Sequence, residues 1–353
     1  MSTPKKILIT GSAGFIGFHL VKKLVEGPYE IIGLDNINDY YSQDLKYGRL
    51  AETGIEKDNI SSQTLTKSVK YDNYSFIQIS LEDKKSVLRL FETAHFDYVV
   101  NLAAQAGVRY SLENPEVYLQ SNIIGFGNIL EACRQFPVSH LVFASSSSVY
   151  GLNKQVPFSV KDNTDHPVSI YGATKKSNEL QAHAYSYLFN IPVTGFRFFT
   201  VYGPWGRPDM AYYMFTKAIL EGEKIFVYNQ GNMQRDFTYV DDIIEAVVKV
   251  LFSEPQGKGI DEVTANPSIS VAPYKIMNIG NSDPVHLNEF IGYIEELLGR
   301  KAIKEFLPLQ PGDLLITYAD VNELITEFSF KPKTSYKEGL SRFIEWYRSY
   351  YKI

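Results

Sequence analysis

Gly11-Ser12-Ala13-Gly14-Phe15-Ile16-Gly17 is the stretch that decides the fold class, because its glycines have the spacing GxxGxxG between an apolar run and a helical pattern. The run Lys6–Thr10 predicts a buried strand, and Ile16–Val25 predicts a helix that begins in the glycine turn. Glycine permits a tight turn and lets backbone amides approach a pyrophosphate, to which the helix N-terminus adds partial positive charge. The stretch therefore predicts the first strand, turn and helix of a dinucleotide-binding fold.

The same alternation of short apolar runs and helical patterns continues along the first half of the chain. It predicts a parallel sheet with helices on both faces, which is an α/β, Rossmann-type, doubly wound architecture. The further strands are predicted at Ile31–Asp35, Ser75–Ile79, Tyr98–Leu102 and His140–Ser145, and the further helices at Lys84–Thr93, Val117–Phe136 and Tyr171–Leu188.

Residues 38–74 are polar and form a longer connection than strands and helices usually need. We expect a surface insertion with one short helix at Gln43–Glu52, and a lid is an equal alternative. Because the stretch follows the second predicted strand, the insertion lies within a dinucleotide-binding domain that we predict to span residues 1–202.

The chain becomes less regular after Gly203, where prolines interrupt it, among them Pro204, Pro208, Pro255, Pro267, Pro273 and Pro284. An exposed loop is expected at Pro255–Pro273, and amphipathic helices are expected at Leu287–Leu298 and Tyr336–Tyr350. We predict that residues 203–353 form a smaller mixed α/β portion that completes a substrate site, with some exchange of segments between the two parts.

Composition narrows the class of protein and the partners it binds. The 353 residues are 44% hydrophobic and 21% charged, as in soluble globular proteins, and the net charge of -5 argues against nucleic acid. Cys133 is the only cysteine, so no intramolecular disulfide is possible, which fits a reducing compartment. No apolar run reaches ~18 residues, so we expect no membrane partner and a cytoplasmic location.

Asp35 ends the second predicted strand, 18 residues after Gly17. A carboxylate at this place accepts hydrogen bonds from the adenosine ribose hydroxyls and repels a 2′-phosphate. The pattern therefore predicts NAD, in preference to NADP, as the cofactor. The alternative is an ordinary tight turn followed by a surface aspartate.

Tyr171 and Lys175 are four residues apart in a helical pattern, so they share one helix face. A free tyrosine has a pKa of about 10, which makes its phenolate roughly 4 kcal/mol unfavourable at pH 7. A nearby ammonium offsets part of this cost. The pair is a candidate acid/base catalyst for oxidation of a hydroxyl, and the alternative is a solvated pair on the helix surface.

The serine run Ser145-Ser146-Ser147-Ser148 follows a predicted strand, where open parallel sheets bind their ligands. A serine there can hydrogen-bond the reacting hydroxyl and relay its proton. The alternative is a polar strand end without a catalytic role.

With these motifs in place, the chain resembles the extended short-chain dehydrogenase/reductase family, and within it the NAD-dependent nucleotide-sugar 4-epimerases, most closely those of UDP-glucuronate. The resemblance covers nearly the whole chain. Two of the stretches that carry it, Asp35–Tyr41 and Phe198–Ala211, are the most specific to the uronate branch. The stretches are Gly11–Gly17, Asp35–Tyr41, Leu102–Arg109, Ser145–Gly151, Tyr171–Lys175, Phe196–Ala211, Gln234–Asp242 and Gln310–Asp313.

The resemblance implies a role for each matching residue. Tyr171 is implied as the base, Lys175 as its tuner and ligand of the nicotinamide ribose, and Ser146 as the hydroxyl partner. The implied cofactor-binding residues are Gly11, Gly14, Phe15, Ile16, Gly17, Asp35, Asn36, Asn38, Ser80, Leu81, Leu102, Ala103, Ala104 and Asn122. The implied substrate-binding residues are Arg109, Ser147, Ser148, Thr200, Arg207, Arg235, Gln310 and Asp313; no metal is implied.

The chain departs from the family pattern at several of these positions. Ser80 stands where relatives place an aspartate that holds the adenine amino group, Gln310 stands where galactose-type epimerases often have a second diphosphate arginine, and Thr200 replaces a common asparagine. Ser148 occupies the position of the acid that sugar dehydratases and uronate decarboxylases carry before Val-Tyr-Gly. This last departure favours epimerisation.

The resemblance implies an isomerase that interconverts UDP-glucuronate and UDP-galacturonate through a 4-keto intermediate. Arg207 is the first candidate partner of the C6 carboxylate and Arg109 the second, whereas a loop-stabilising role for Arg207 stays open. The alternatives are a 4-epimerase of UDP-glucose, of a UDP-N-acetylhexosamine or of an N-acetylated uronate, and a non-catalytic NAD-sensing scaffold.

A homodimer is expected, because relatives commonly pair the helices that correspond to Pro115–Phe136 and Tyr171–Leu188. Their predicted outer faces carry apolar side chains, and burial within the monomer is the alternative. These side chains are Leu119, Ile123, Leu180 and Tyr187.

Overall fold

A computed structural model describes residues 4–264, 266–310 and 313–353. The strands are β1 Lys5–Thr10, β2 Tyr29–Asp35, β3 Leu65–Lys67, β4 Tyr74–Gln78, β5 Tyr98–Asn101, β6 His140–Ser146, β7 Val193–Phe198, β8 Thr200–Tyr202, β9 Lys224–Tyr228, β10 Gln234–Tyr239, β11 Tyr274–Ile279, β12 Pro284–His286 and β13 Ile303–Leu307. The helices are α1 Phe15–Leu24, α2 Gln43–Glu52, α3 Lys84–Ala94, α4 Tyr110–Glu113, α5 Pro115–Tyr118, α6 Phe126–Gln135, α7 Ile170–Phe189, α8 Ala211–Glu221, α9 Val240–Leu251, α10 Ile260–Thr264, α11 Leu287–Leu298, α12 Asn322–Phe328 and α13 Tyr336–Tyr351.

The chain divides into two compact units. The first contains Met1–Leu152, Val160–Arg197 and Ile244–Met277. The second contains the remaining segments, which are Asn153–Ser159, Phe198–Ile243 and Asn278–Ile353. The domain boundary at residue 202 stays a prediction.

A sheet with the strand order β11-β7-β6-β5-β1-β2-β4-β3 forms the centre of the first unit. The neighbours from β4 through β2, β1 and β5 to β6 run parallel. Ile7, Leu8 and Ile9 are fully buried, as expected for a parallel strand that helices cover on both faces. The fold class predicted from the glycine turn and the strand–helix alternation is confirmed.

The insertion is more closely integrated than a surface excursion. Its helix α2 has the predicted bounds, but Arg49 on that helix is fully buried. Its strand β3 pairs antiparallel with β4 and adds an edge to the sheet. The residues from Ser61 to Leu65 are exposed. The insertion therefore has a buried side at α2 and an exposed turn before β3.

The helix predicted at Val117–Phe136 is present, but a π-helical turn interrupts its α-helical geometry. The chain forms α5, then a π-helical turn at Leu119–Gly125, and then α6. The wider π turn contains Asn122, whose side chain bonds to two other parts of the chain. Turns of this kind are frequent at functional sites.

The region Pro255–Pro273, expected to be an exposed loop, contains the short helix α10. Ala265, within this region, lies outside the described residues. In the described part of the chain, no helix combines the length and the apolar character needed to cross a membrane.

The second unit is built around small sheets and aromatic side chains. Its strands form the order β12-β10-β8, and β9 pairs parallel with β13. Phe237 of β10 stacks on Phe290 of α11 with ring centres 3.9 Å apart. Tyr212 of α8 meets Phe343 of α13 edge-on at 4.7 Å. Aromatic packing thus holds strands and helices of this smaller mixed α/β unit together.

Candidate functional site

The glycine turn leaves no room for side chains. Gly11 has a φ of +72°, and its amide donates to the carbonyl of Leu34 at 2.7 Å. A Cβ at Gly14 would lie 2.9 Å from the carbonyl oxygen of Gly11, and a Cβ at Gly17 would overlap the same oxygen. Only glycine therefore fits at these positions, and the chain makes the tight turn before α1 that a pyrophosphate-binding backbone requires.

The segment after β5 lies against this turn. The amide of Ala103 donates to the hydroxyl of Thr10 at 3.1 Å, and the amide of Leu102 donates to the carbonyl of Thr10. A Cβ at Gly11 would lie 2.8 Å from the nitrogen of Ala103. Leu102, Ala103 and the neighbouring Ala104 are half-buried beside the turn.

The carboxylate of Asp35 joins the end of β2 to the glycine turn. One oxygen accepts from the amide of Ala13 at 3.2 Å, and the other accepts from the amide of Ile37 at 2.8 Å. A carboxylate has about four lone-pair sites, so acceptor capacity remains for ribose hydroxyls. Asn36 and Asn38 follow in the same turn, where the amide of Asn38 donates to Oδ1 of Asn36 at 3.1 Å.

Two buried cations beside this turn are functional candidates that the sequence analysis missed. The guanidinium of Arg49 donates to the carbonyl of Ala13 at 2.9 Å and to the hydroxyl of Tyr41 at 2.8 Å. The ammonium of Lys46 donates to the carbonyl of Asn38 at 2.8 Å, and burial lowers the pKa of this lysine. Charged residues in a helical pattern predict an exposed face, so the sequence carried no signal for them.

Ser80 and Leu81 follow β4, where the family pattern has the adenine-binding aspartate. The hydroxyl of Ser80 donates to the carboxylate of Glu82. The carbonyl of Leu81 accepts from the side-chain amide of Asn128 at 2.8 Å. The segment is thus fixed by its own polar contacts, and the hydroxyl hydrogen of Ser80 is committed to Glu82.

Lys175 and Tyr171 lie on α7, which begins where the hydroxyl of Ser169 caps the amide of Gly172 at 3.0 Å. The ammonium of Lys175 donates to the carbonyl of Ala144 in β6 at 2.8 Å. It lies 6.0 Å from the centre of the Tyr171 ring. Burial lowers the pKa of Lys175 to about 7. The helix α7 therefore holds, beside the candidate base, a lysine whose pKa is about 7.

Ser146 is the last residue of β6 and is buried, and its hydroxyl accepts from the amide of Ser148 at 3.1 Å. Ser147 and Ser148 begin a short 3₁₀ turn and are half-buried. The bond from Lys175 to Ala144 reaches the same strand two residues earlier. The first unit thus brings Tyr171 and Lys175 onto the strand that ends in Ser146.

A buried ion pair braces this arrangement, and the sequence analysis missed it. Arg197 of β7 donates to both carboxylate oxygens of Glu179 on α7, at 2.8 and 2.9 Å, and Ser145 donates to one of them at 2.7 Å. Burial acts to raise the pKa of Glu179, but the charge and hydrogen bonds of Arg197 lower it below its ordinary value. The sequence offered one signal for Glu179, which is its spacing: it lies four residues after Lys175 and so shares its helix face.

Asn122 connects two segments around the same helix. Its side chain donates to the carbonyl of Gln105 and to the hydroxyl of Thr174, each at 3.0 Å, and accepts from the amide of Gln105 at 2.8 Å. The π turn that holds Asn122 therefore positions the loop after β5 against α7. Its cofactor contact stays a prediction.

Among the predicted substrate-binding residues, Arg109 lies in the first unit. It is exposed and precedes the short helix α4. The second unit places Thr200 at the start of β8 and Arg235 on the neighbouring strand β10. Arg235 donates to the carbonyl of Gln234 at 2.9 Å. Each of these substrate contacts stays a prediction.

Asp236 explains how the strand that carries Arg235 is fixed. Its carboxylate accepts from the amides of Asn281, Ser282 and Ala319 at 2.7 to 3.0 Å. Burial raises the pKa of Asp236 to about 6 despite these donors. The carboxylate is thus a hub for three backbone segments of the second unit.

Arg207 lies in a loop that is held by its own ion pair. Its guanidinium donates to both carboxylate oxygens of Asp209, at 3.0 and 2.5 Å. Trp205, two residues earlier, has a φ of +60° and packs against Trp346 and Tyr350 of α13 at ring-centre distances of 5.3 and 5.0 Å. The loop is therefore braced on both sides of Arg207, as the loop-stabilising alternative requires.

The late motif from Gln310 to Asp313 is described in part. The amide of Asp313 donates to the carbonyl of Gln310 at 3.2 Å, whereas Pro311 and Gly312 lie outside the described residues. In the part of the chain that the structure describes, no group of three or more His, Cys, Asp or Glu residues is placed to hold a metal ion.

The chain is similar to known proteins over nearly its whole length. The model of the NAD dependent epimerase/dehydratase family matches residues 7–263. Protein CapI of Staphylococcus aureus is 53% identical over 98% of this chain and 99% of its own length. The probable UDP-glucuronate 4-epimerase of Rhizobium meliloti (strain 1021) is 41% identical over 98% of both chains.

A solved structure agrees with these relatives. The UDP-glucuronic acid 4-epimerase of Bacillus cereus, in complex with UDP-glucuronic acid and NAD, superposes with a TM-score of 0.84. It is 30% identical, over 98% of this chain and all of that one. The predicted resemblance to nucleotide-sugar epimerases, the prediction of an isomerase and the prediction of NAD are confirmed. The chain therefore belongs to the NAD dependent epimerase/dehydratase family, and NAD is its cofactor.

Proposed function

We propose that the protein interconverts UDP-glucuronate and UDP-galacturonate by reversible oxidation at C4 of the sugar. The observation that carries this proposal is the arrangement of α7 and β6, in which Lys175 is bonded to Ala144 on the strand that ends in Ser146. It supplies a base, a tuning cation and a hydroxyl partner beside a dinucleotide cradle. The Rhizobium meliloti relative and the Bacillus cereus structure are both named for UDP-glucuronate, the first as a probable 4-epimerase.

The hydroxyl of Tyr171 is the proposed proton acceptor in the forward direction. Its phenolate form takes the proton of the C4 hydroxyl, and the ammonium of Lys175 stabilises that phenolate. Ser146 orients the C4 oxygen through its hydroxyl. NAD, held by the glycine turn, Asp35 and Lys175, would supply the reversible hydride chemistry at C4. Tyr171 then gives the proton back to the C4 oxygen.

The backbone of the turn that contains Gly11, Gly14 and Gly17 is the proposed ligand of the pyrophosphate, since this turn is too tight for side chains at these positions. Asp35 is the proposed ligand of the adenosine ribose. Lys175 is also the proposed ligand of the nicotinamide ribose. Arg235 is the proposed partner of the UDP diphosphate, because a guanidinium forms bidentate, charge-assisted bonds with phosphate oxygens.

Recognition of the C6 carboxylate is the step that separates a uronate from a neutral sugar. Arg207 is the proposed partner, and its guanidinium is paired with Asp209 in the structure. Arg109 is the second candidate, since it is exposed at the start of α4. Ser148, in place of an acid, supports epimerisation over elimination from the same keto sugar.

A panel of UDP sugars tests the proposal. We expect kcat/KM for UDP-glucuronate to exceed that for UDP-glucose, UDP-N-acetylglucosamine and an N-acetylated uronate by about tenfold or more, as a charged contact provides. A preference for a neutral or N-acetylated sugar would assign the protein to those alternatives. Turnover by wild type and its loss in Tyr171→Phe would exclude the NAD-sensing scaffold.

We also propose a cytoplasmic homodimer whose product serves polysaccharide biosynthesis. Leu119, Leu180 and Tyr187 are 48%, 61% and 62% exposed, and Ile123 is half-buried. Exposed apolar side chains on these helices fit a surface that a second copy covers. Light scattering tests the dimer, and a Leu180→Glu variant of monomeric mass would support this surface.

A further inference from the structure

A cavity of about 270 Å³ lies at the edge of the first unit's sheet, where β2 and β4 end. Asp35 and Gln78 are partners at the ends of these two parallel strands, and open parallel sheets bind ligands beyond such ends. The insertion contributes part of the wall. The lining residues are Asn36, Ser62, Gln63, Gln78, Ile79, Ser80 and Asp83.

The size and place of this cavity suit one ring system. Pockets that enclose drug-sized ligands measure about 300–1,000 Å³, so a smaller volume suits a single base. Asn36 in its wall directly follows Asp35, the proposed ribose ligand. The part of NAD that continues beyond the adenosine ribose is the adenine. The cavity is therefore placed to receive it.

Several polar groups in the wall are already used within the fold. The hydroxyl of Ser80 donates to Glu82, and the side-chain amide of Gln78 donates to the carbonyl of Asn36 at 3.3 Å. Oδ1 of Asn36 accepts from the amide of Asn38. These groups shape the wall, and another side chain has to supply a matched donor and acceptor for a base.

Gln63 meets this requirement. Its backbone is fixed, because its amide donates to the carbonyl of Gln78 at 3.0 Å and its φ is +59°. Its side chain is exposed, lines the cavity and makes no hydrogen bond among the described residues. A glutamine amide pairs with adenine through two bonds, accepting from N6 and donating to N7.

We propose that Gln63, supplied by the insertion, recognises the adenine of NAD by this bidentate pair in the cavity beside Asn36 and Ser80. The insertion then has a cofactor-binding function, and Gln63 takes over the recognition of the amino group at a strand end that has Ser80. The proposal rests on NAD as cofactor and not on the sugar specificity, so the failure of one leaves the other standing.

Calorimetric titration of protein freed from cofactor tests this proposal. The ligands are NAD and nicotinamide hypoxanthine dinucleotide, in which an oxygen replaces the N6 amine. We expect wild type to bind NAD about tenfold more tightly than the analogue, because the N6 bond is lost. Gln63→Ala should bind both with similar affinity, at about the wild-type affinity for the analogue or weaker.

Thr64→Ala is the matched control, since Thr64 is exposed in the same turn and does not line the cavity. It should keep the wild-type preference for NAD. Wild-type affinity of Gln63→Ala for NAD would overturn the proposal, as would equal weakening for NAD and the analogue or a wild type that does not distinguish them. Equal melting temperatures of the three cofactor-free proteins show that the affinities compare folded molecules.

Discussion

The ammonium of Lys175 donates a 2.8 Å hydrogen bond to the carbonyl oxygen of Ala144. This bond joins α7 to β6, two residues before Ser146 and one helical turn after Tyr171. The residue that we propose as the tuner of the candidate base therefore also fixes the helix on the strand that ends in Ser146.

The low pKa of Lys175 predicts a pH-dependent cost in stability. In the folded protein, burial lowers this pKa from 10.5 to about 7, so a buried ammonium costs free energy below pH 7. The cost fades as pH rises from about 7 to 10.5, where the folded lysine loses its proton before the unfolded one does. Relative to wild type, Lys175→Met should therefore gain more stability at pH 7 than near pH 10, by a few kcal/mol.

Denaturant unfolding at the two pH values measures this difference. Lys175→Met should also lose at least about 100-fold in kcat at pH 7, because the phenolate loses its cation. A stability gain that does not change with pH would mean that the lysine is not desolvated as described. Wild-type turnover by the variant would remove Lys175 from the catalytic group.

Removing one charge of the Glu179–Arg197 pair should destabilise the protein more than removing both charges. Glu179→Gln leaves the buried Arg197 guanidinium without a compensating charge, and we expect a loss of about 3–5 kcal/mol in the free energy of unfolding. The double variant Glu179→Leu with Arg197→Met should recover most of it. Glu26→Gln, which breaks an exposed pair with Lys23, should change stability by less than about 1 kcal/mol.

Chemical denaturation of the four proteins measures these values. If the double variant is as unstable as Glu179→Gln, the loss comes from packing, and the account of an uncompensated charge is wrong.

The glycine cradle predicts opposite effects of alanine at two glycines. A Cβ at Gly17 would overlap the carbonyl oxygen of Gly11, so Gly17→Ala should weaken NAD binding by about tenfold or more. Gly292 lies inside α11, where an added Cβ meets no atom within 4 Å. Gly292→Ala should stabilise the protein by about 0.5–1 kcal/mol and leave NAD binding unchanged. Unaltered NAD affinity in Gly17→Ala, measured by calorimetry, would be incompatible with the proposed cradle.

Substitutions in the Arg207–Asp209 pair distinguish a role in carboxylate recognition from a role in loop stabilisation. Arg207→Ala should lower the preference for UDP-glucuronate over UDP-glucose by about tenfold or more, because the charged contact is lost. Asp209→Asn removes the competing carboxylate and should preserve or increase that preference. The ratio of kcat/KM values for the two sugars measures it. Equal loss of activity toward both sugars in both variants would assign Arg207 a loop-stabilising role.

Local patterns made much of the fold predictable from sequence. The glycine turn, the apolar strands and the helices α2 and α11 have their predicted places, because each depends on spacing over neighbouring residues. The candidate base and its lysine were predictable for the same reason. Residues four positions apart in a helix lie on the same face, so the spacing alone predicts that the two side chains are neighbours.

Features that depend on long-range contacts were not predictable. In the π turn, the side chain of Asn122 makes hydrogen bonds to Gln105 and to Thr174, and Thr174 is 52 positions away in the sequence. The burial of Arg49 depends on a carbonyl 36 positions earlier, in the glycine turn. Neither contact leaves a periodic pattern in the sequence. The same is true of the cavity that Gln63 shares with residues after β2 and β4.

The most direct test of the central claim is incubation of the protein with UDP-glucuronate and NAD, followed by NMR of the products. We predict an equilibrium mixture of UDP-glucuronate and UDP-galacturonate, without net consumption of NAD. Tyr171→Phe should form no product while it still binds NAD. A decarboxylated pentose or a dehydrated sugar as the main product, or epimerisation at the wild-type rate by Tyr171→Phe, would contradict the account.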